Sequence, residues 1–372
     1  MGIMYSIRDK FFNMEIKMDK FIIPQEKTSI IAHFENNEIH ELGNIDIPFL
    51  SKTAITENGY IVSICFGSKD SRQLKIFDIN GKQLFNGKEY KYNSIACKNN
   101  VVYLGGQYGK GIGELFALID FSDINFSIEE INLPIKTFEG KSIDDILIRD
   151  DTLFLVDNLM HPKFIFQYDI SSPDNPVHIS TDKLDNHGTY EHIEKGEIND
   201  NWMILFSQCV GRYGISQHIS ITGNKEFTLS FYVFEPLIPF PFVLNNFVNK
   251  STEKGICDIS LIENYLIVLF EDGVKYLNLN DVIDEISKNN FKDEDEVIYL
   301  YSNRINKIIK NKFKELIKLT GNTIRNNYEG VKPQIENRLL KVSDKHCLLL
   351  SRNKYEILKL PKQRNGKRRN ST

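Results

Sequence analysis

Three carboxylates stand near the starts of apolar, strand-like runs: Asp145, Glu197 and Asp258. Carboxylates converging from several strands suit a hard divalent cation, because calcium takes oxygen ligands. The same groups equally suit the backbone amides at strand ends. They therefore define a candidate metal set for one Ca-like ion, set against the expectation of no cofactor.

Other chemistry-bearing patterns carry less. Asp185, His187 and His192 crowd together in DNHGTYEH. An odd offset places His187 and His192 on opposite faces of a strand, which argues against a shared zinc ion. GGQYGKGIG, from Gly105 to Gly113, lacks the Lys-Ser/Thr ending of a P-loop and reads as a hairpin loop. The five cysteines, Cys65, Cys97, Cys209, Cys257 and Cys347, include no CxxC pair and read as free thiols packed as small hydrophobes. No nucleophile signature is present, so no catalytic residue is assigned.

The elements that would position these residues are strands. From Ser142 to Pro176, apolar residues alternate in three short runs divided by Arg149-Asp150-Asp151 and by Ser171 to Pro176. Period-2 alternation between turn-forming clusters predicts strand, turn, strand, loop, strand. The pattern recurs: Gly59, Asn100, Asp151, Asn201, Asn264 and Lys345 each precede a run of apolar and β-branched residues. The first intervals are near the 40 to 50 residues of a four-stranded propeller blade, and the later, longer ones imply insertions. In the first such unit KTAIT, YIVSICFG, RQLKIFDI and QLFNGKEY supply all four strands.

The chain is thus expected to be an all-β propeller of six blades, with seven as the alternative. The last unit supplies only three strands, so SIIAHFENNEIHELG is expected to complete it and close the ring. The expected organisation is an N-terminal arm over 1–27, a propeller over 28–361 and a basic tail over 362–372.

DDILIRDDTLFLVDNLMHPKFIFQYDISSPDNPV resembles an LVIVD-type, WD40-like propeller repeat, and GICDISLIENYLIVLFEDGVKYLNLND resembles a second copy with Asp258 in the place of Asp145. The resemblance implies a β-propeller. Propellers host both binding proteins and enzymes, so it implies no activity.

Two segments depart from the strand pattern. In Phe231 to Val248, prolines at 236, 239 and 241 forbid a central strand while Phe240 and Phe242 offer apolar surface. The insertion over 283–334 contains NRINKIIKNKFKELIKL, whose Ile305, Ile308, Ile309, Phe313, Leu316 and Ile317 recur at helical spacing. Around them stand Arg304, Lys307, Lys310, Lys314 and Lys318. This predicts a basic amphipathic helix near 302–320, either docked on the propeller or free to bind a partner.

A net charge of −4 disfavours a nucleic-acid protein. No run is long and apolar enough to span a membrane. A cytoplasmic setting is expected, with N-myristoylation at Gly2, in a Gly-x-x-x-Ser pattern, as the membrane-associated alternative. The functional expectation is a non-catalytic scaffold or assembly subunit. It would bind another protein through Arg304, Lys307, Lys310, Phe313, Lys314, Ile317, Lys318, Phe240 and Phe242. An anionic surface could also be met by helix 302–320 and tail 362–370. The alternative is a metal-dependent propeller hydrolase or lactonase using Asp145, Glu197 and Asp258 in the central channel.

Overall fold

The computed structural model describes residues 20–25, 28–48, 51–66, 72–88, 92–107, 114–123, 125–133, 143–157, 163–184, 192–211, 214–223, 227–234, 256–288, 309–319, 337–343, 345–351 and 354–361. Their strands form seven antiparallel sheets, taken in chain order.

The first blade is β1 (Lys20–Ile23), β2 (Ser29–Glu35) and β3 (Glu38–Ile45). The second is β4 (Ser51–Ile55), β5 (Ile61–Phe66), β6 (Arg72–Phe77) and β7 (Gln83–Lys88). The third is β8 (Tyr92–Lys98), β9 (Val101–Gln107), β10 (Glu114–Asp120) and β11 (Ile128–Glu130). The fourth is β12 (Ile143–Arg149), β13 (Thr152–Asp157), β14 (Lys163–Asp169) and β15 (Val177–Leu184).

The fifth is β16 (His192–Ile198), β17 (Trp202–Gly211), β18 (Gly214–Gly223) and β19 (Phe227–Phe234). The sixth is β20 (Ile256–Ile262), β21 (Tyr265–Phe270), β22 (Gly273–Asn278) and β23 (Lys314–Lys318). The seventh is β24 (Asn337–Ser343), β25 (His346–Ser351) and β26 (Lys354–Leu358). The first strand of each blade contacts the first strand of the next, and β24 contacts β1, so the inner strands ring a central channel.

Each blade is apolar on both faces because it is sandwiched between two others. Along β17, Trp202, Ile204 and Phe206 pack toward the sixth blade while Leu205 packs toward the fourth. Seven clusters of buried side chains result, one between each neighbouring pair of blades. Turn chemistry also repeats: Asp78, Asp120, Asp169 and Asn278, each ending a third strand, accept a hydrogen bond from the backbone N–H two residues on. That bond holds the Asp169 carboxyl below its usual range.

The expected six blades are seven. SIIAHFENNEIHELG does not complete the last blade: it forms β2 and β3, and the missing inner strand is Lys20–Ile23, inside the stretch read as an arm. The ring closes by side chains, since no ladder joins the first and last sheets among the described residues. Phe21, Ile23, Ile30 and Ala32 meet Val342, Leu348 and Leu350, and the Tyr355 hydroxyl donates to Glu41 Oε1 at 2.8 Å.

The expected helix near 302–320 is corrected over its second half, while 302–308 lie outside the described residues. Residues 309–312 make one helical turn, and Lys314–Lys318 is the outer strand of the sixth blade, paired with β22. The apolar spacing reflects two successive contacts. Ile309 and Phe313 pack on the core between the fifth and sixth blades, and Leu316 and Ile317 pack on the core between the sixth and seventh. Among the described residues the longer helix is α1 (Leu279–Lys288), which begins as β22 ends and runs into the insertion. Asn278 Oδ1 caps its first turn, and Leu279, Val282 and Ile283 face the core. Lys312 pairs with Glu285 of this helix at 3.0 Å.

Candidate functional site

The inner strands bulge at matching places. Register shifts fall between Ile143 and Asp145, Ile193 and Lys195, and Ile256 and Asp258, so Ile-x-Asp, Ile-x-Lys and Ile-x-Asp occupy one structural position in three consecutive blades. A bulge re-aims the residue that follows it. The outcome is a belt of charged side chains on the inner strands.

Asp145 and Asp258 do the same work two blades apart. Asp145 Oδ1 accepts from Ile146 N at 3.1 Å and Oδ2 from Gly196 N of the next blade at 2.7 Å. Asp258 Oδ1 accepts from Ile259 N at 2.8 Å and Oδ2 from Leu339 N of the next blade at 2.8 Å. Each carboxylate therefore stitches its blade to its successor through a charge-assisted bond. A Cβ on Gly196 would lie 2.9 Å from Leu147 and 3.1 Å from Asp145 Oδ2, so that position stays bare.

Lys195 stands in the aspartate position of the fifth blade and reaches two blades onward. Its ammonium lies 3.1 Å from Asp258 Oδ1, 2.6 Å from Ile259 O, 3.5 Å from Leu339 O and 3.2 Å from Glu197 Oε1. Lys52, from the second blade, lies 3.6 Å from Asp145 Oδ1. Desolvation works against the Lys195 charge, but Asp258 and Glu197 more than offset it and hold the ammonium above its usual range. Burial pushes the Glu197 carboxyl up, against the pull of Lys195 and Lys341.

Glu197, grouped with the two aspartates in the sequence reading, lies two residues beyond the equivalent position. It is joined to Asp258 through Lys195, while Asp145 belongs to a separate pair with Lys52. Among the described residues these three carboxylates do not gather their oxygens within a common coordination distance. Lys52 and Lys195 escaped the sequence reading, although aligning Ile143-Asp144-Asp145, Ile193-Glu194-Lys195 and Ile256-Cys257-Asp258 would have marked Lys195.

The other candidates divide. Arg304, Lys307, Phe240, Phe242, Asp185 and His187 lie outside the described residues, as does tail 362–370. Lys314 and Lys318 are exposed on β23, Lys310 is half-buried, and Phe313 and Ile317 turn inward. Gly105 sits on β9, where a Cβ would come within 2.5 Å of Ser94 Oγ and 2.7 Å of Ile143, so it permits close packing of the third and fourth blades. Burial pushes the Cys97, Cys257 and Cys347 thiols up to about 12, which leaves them unreactive at neutral pH.

No protein-family model matches the chain, and no curated protein matches it. Among solved structures, it is similar to Kuenenia stuttgartiensis hydrazine synthase, with a TM-score of 0.57 at 10% identity over 94% of this chain and 97% of that one. The shared feature is the β-propeller fold. A Lactobacillus plantarum protein aligns with a TM-score of 0.46 at 11% identity over 70% of this chain and 78% of its own. The N-terminal domain of Nup159 aligns with a TM-score of 0.44 at 8% identity over 90% of this chain and 84% of its own. At 10% identity the likeness to the first of these shows a shared fold and not a shared role.

The raised Glu197 carboxyl gives a pH signature. Because its folded-state pKa exceeds the unfolded value, the folded chain holds the proton longer, and this group's contribution to stability falls as pH rises from the unfolded to the folded pKa. Glu197→Gln cannot titrate. The stability of wild type relative to Glu197→Gln should therefore decline across that window and then level off, as read by urea unfolding at a series of pH values.

Proposed function

We propose that the protein is a non-catalytic interaction scaffold, or one subunit of a larger assembly, that docks another protein on the outer strands of its blades. The observation that carries this reading is the edge of the fourth blade. Val177 and Ile179 on β15 are 57% and 53% exposed, on a strand that is the outermost of its sheet among the described residues. An edge strand that exposes apolar side chains is a template for an added strand from a partner, and the charges of β15, Asp182 and Lys183, lie toward its other end. Leu42 on β3 and Leu84 on β7 are also exposed, and Lys314 and Lys318 give β23 a basic edge suited to an acidic segment. The channel aspartates, by contrast, already accept backbone amides of neighbouring blades.

The test is capture from the native source by the intact chain, by Val177→Asp/Ile179→Asp and by Lys314→Glu/Lys318→Glu. A stoichiometric partner held by wild type and lost with the first pair is expected, with the second pair weakening it if the basic edge also takes part. Deleting 303–319 would be a poor control, since it removes β23. The metal-dependent hydrolase reading would replace this one if no partner appeared and each chain held one divalent ion that was lost in Asp145→Asn or Asp258→Asn.

A further inference from the structure

The hairpin of β2 and β3 reads His33-Phe34-Glu35-Asn36-Asn37-Glu38-Ile39-His40, a sequence almost the same from either end. Asn36 and Asn37 both have positive φ, 53° and 66°, the geometry of a two-residue turn that continues the strand twist. That turn fixes the register, pairing Glu35 with Glu38 and His33 with His40. Residues two apart share a face, so His33, Glu35, Glu38 and His40 fall on one side of the hairpin. Phe34 and Ile39 fall on the other, where they join the core shared with the seventh blade.

The polar face is already gathered. The His33 and His40 rings stack with centroids 4.9 Å apart, and His33 Nε2 lies 3.5 Å from Glu35 Oε2. One ligating atom each from His33, Glu35 and His40 lies within 4.8 Å of the others, and this is the sole such group of three among the described residues. His33 is only 9% exposed, so packing fixes its ring with Nε2 turned to Glu35, and one donor of the group is already in place while Glu35 and His40 are free to move.

We propose that His33, Glu35 and His40 bind a divalent transition-metal ion, zinc foremost. Two imidazole nitrogens and a carboxylate oxygen form a borderline donor set, which suits zinc and its late first-row neighbours better than calcium or magnesium. Around a tetrahedral zinc ion with bonds of about 2.0–2.1 Å, adjacent ligand atoms sit roughly 3.3 Å apart. The contraction from the present spacing falls to Glu35 and His40, whose side chains are exposed, while buried His33 stays in place. The fourth position is left to Glu38, which stands opposite Glu35 in the register, or to water. Since the reverse face of this hairpin helps close the ring, an ion joining β2 to β3 should stiffen the closing seam and stabilise the whole fold.

The test uses full-length protein without a histidine tag, stripped with chelator and titrated with zinc chloride alone by calorimetry, with thermal unfolding read on the same samples. One zinc ion per chain and a higher unfolding temperature are expected. His40→Ala should weaken binding by about tenfold or more and remove the thermal shift, and Glu35→Gln should weaken it to a smaller degree. Both residues are exposed, so the variants should fold; His40→Gln replaces His40→Ala if that variant does not. Absence of zinc binding in wild type would overturn the proposal. So would binding unchanged in both variants, which would place the ion elsewhere, for example on Asp145 or Asp258.

Discussion

Lys195→Met should unfold at much lower urea than wild type, with a loss of about 3 kcal/mol. Removing one partner of a buried ion pair leaves the other charge uncompensated, which typically costs about 3–5 kcal/mol. The lower end applies here because the Lys195 side chain keeps 28% exposure, whereas Asp258 keeps 9%. Asp258 would lose its cation, Glu197 would lose its nearest one, and Ile259 O would lose a donor. Since Asp258 and Glu197 hold the Lys195 ammonium above its usual range, wild type should show at high pH a second decline of the same sign as the Glu197 effect. The Lys195 contribution is complete below the unfolded lysine pKa and disappears as pH climbs through the raised folded value. Lys195→Met would show no such decline.

Gln217→Leu should be comparably damaging for a different reason. Gln217 is 1% exposed, and its amide acts as a piece of strand: Nε2 donates to Ile256 O and Oε1 accepts from Ile256 N, both at 2.7 Å. It thereby joins β18 of the fifth blade to the start of β20 in the sixth. Leucine fills a similar volume but leaves a buried N–H without that acceptor and a buried carbonyl without that donor, at about 1–3 kcal/mol each. A loss of about 2–4 kcal/mol in urea unfolding is expected. A change below 0.5 kcal/mol, the size of an ordinary surface substitution, would show that this amide link does not hold the two blades together.

Much of this architecture can be read from local patterns. The four strands of the second blade stand where KTAIT, YIVSICFG, RQLKIFDI and QLFNGKEY place them, because alternation and turn dipeptides are properties of neighbours in the chain. The matching roles of Asp145 and Asp258 are visible for the same reason. The first blade escaped because β1 is only Lys-Phe-Ile-Ile, and the connection to β2, Pro24 to Thr28, lacks the Asn, Asp or Gly that marks the other first turns. Residues 314–318 misled because a helical turn followed by a half-buried strand spaces its apolar residues as one longer helix would. The partners of Lys195 and Gln217 lay beyond reach until the ring was assembled. Lys195 meets Leu339 and Gln217 meets Ile256, partners on other blades, and no local periodicity encodes those meetings.

The candidate site shows the same division. Sequence reading located the inner-strand carboxylates but not Lys52 and Lys195, the cations that accompany them. Asn36-Asn37 in SIIAHFENNEIHELG is legible as a turn from residue type alone, whereas the stacking of His33 on His40 across it depends on the register.

Partner capture from the native source, comparing Val177→Asp/Ile179→Asp with Glu197→Gln, tests most directly whether this propeller works at its rim or in its channel. The account predicts that Glu197→Gln holds the same partner in the same yield as wild type, while the folded edge variant holds none. A folded edge variant that captures normally, with capture lost in Glu197→Gln, would contradict it and move the functional site into the channel.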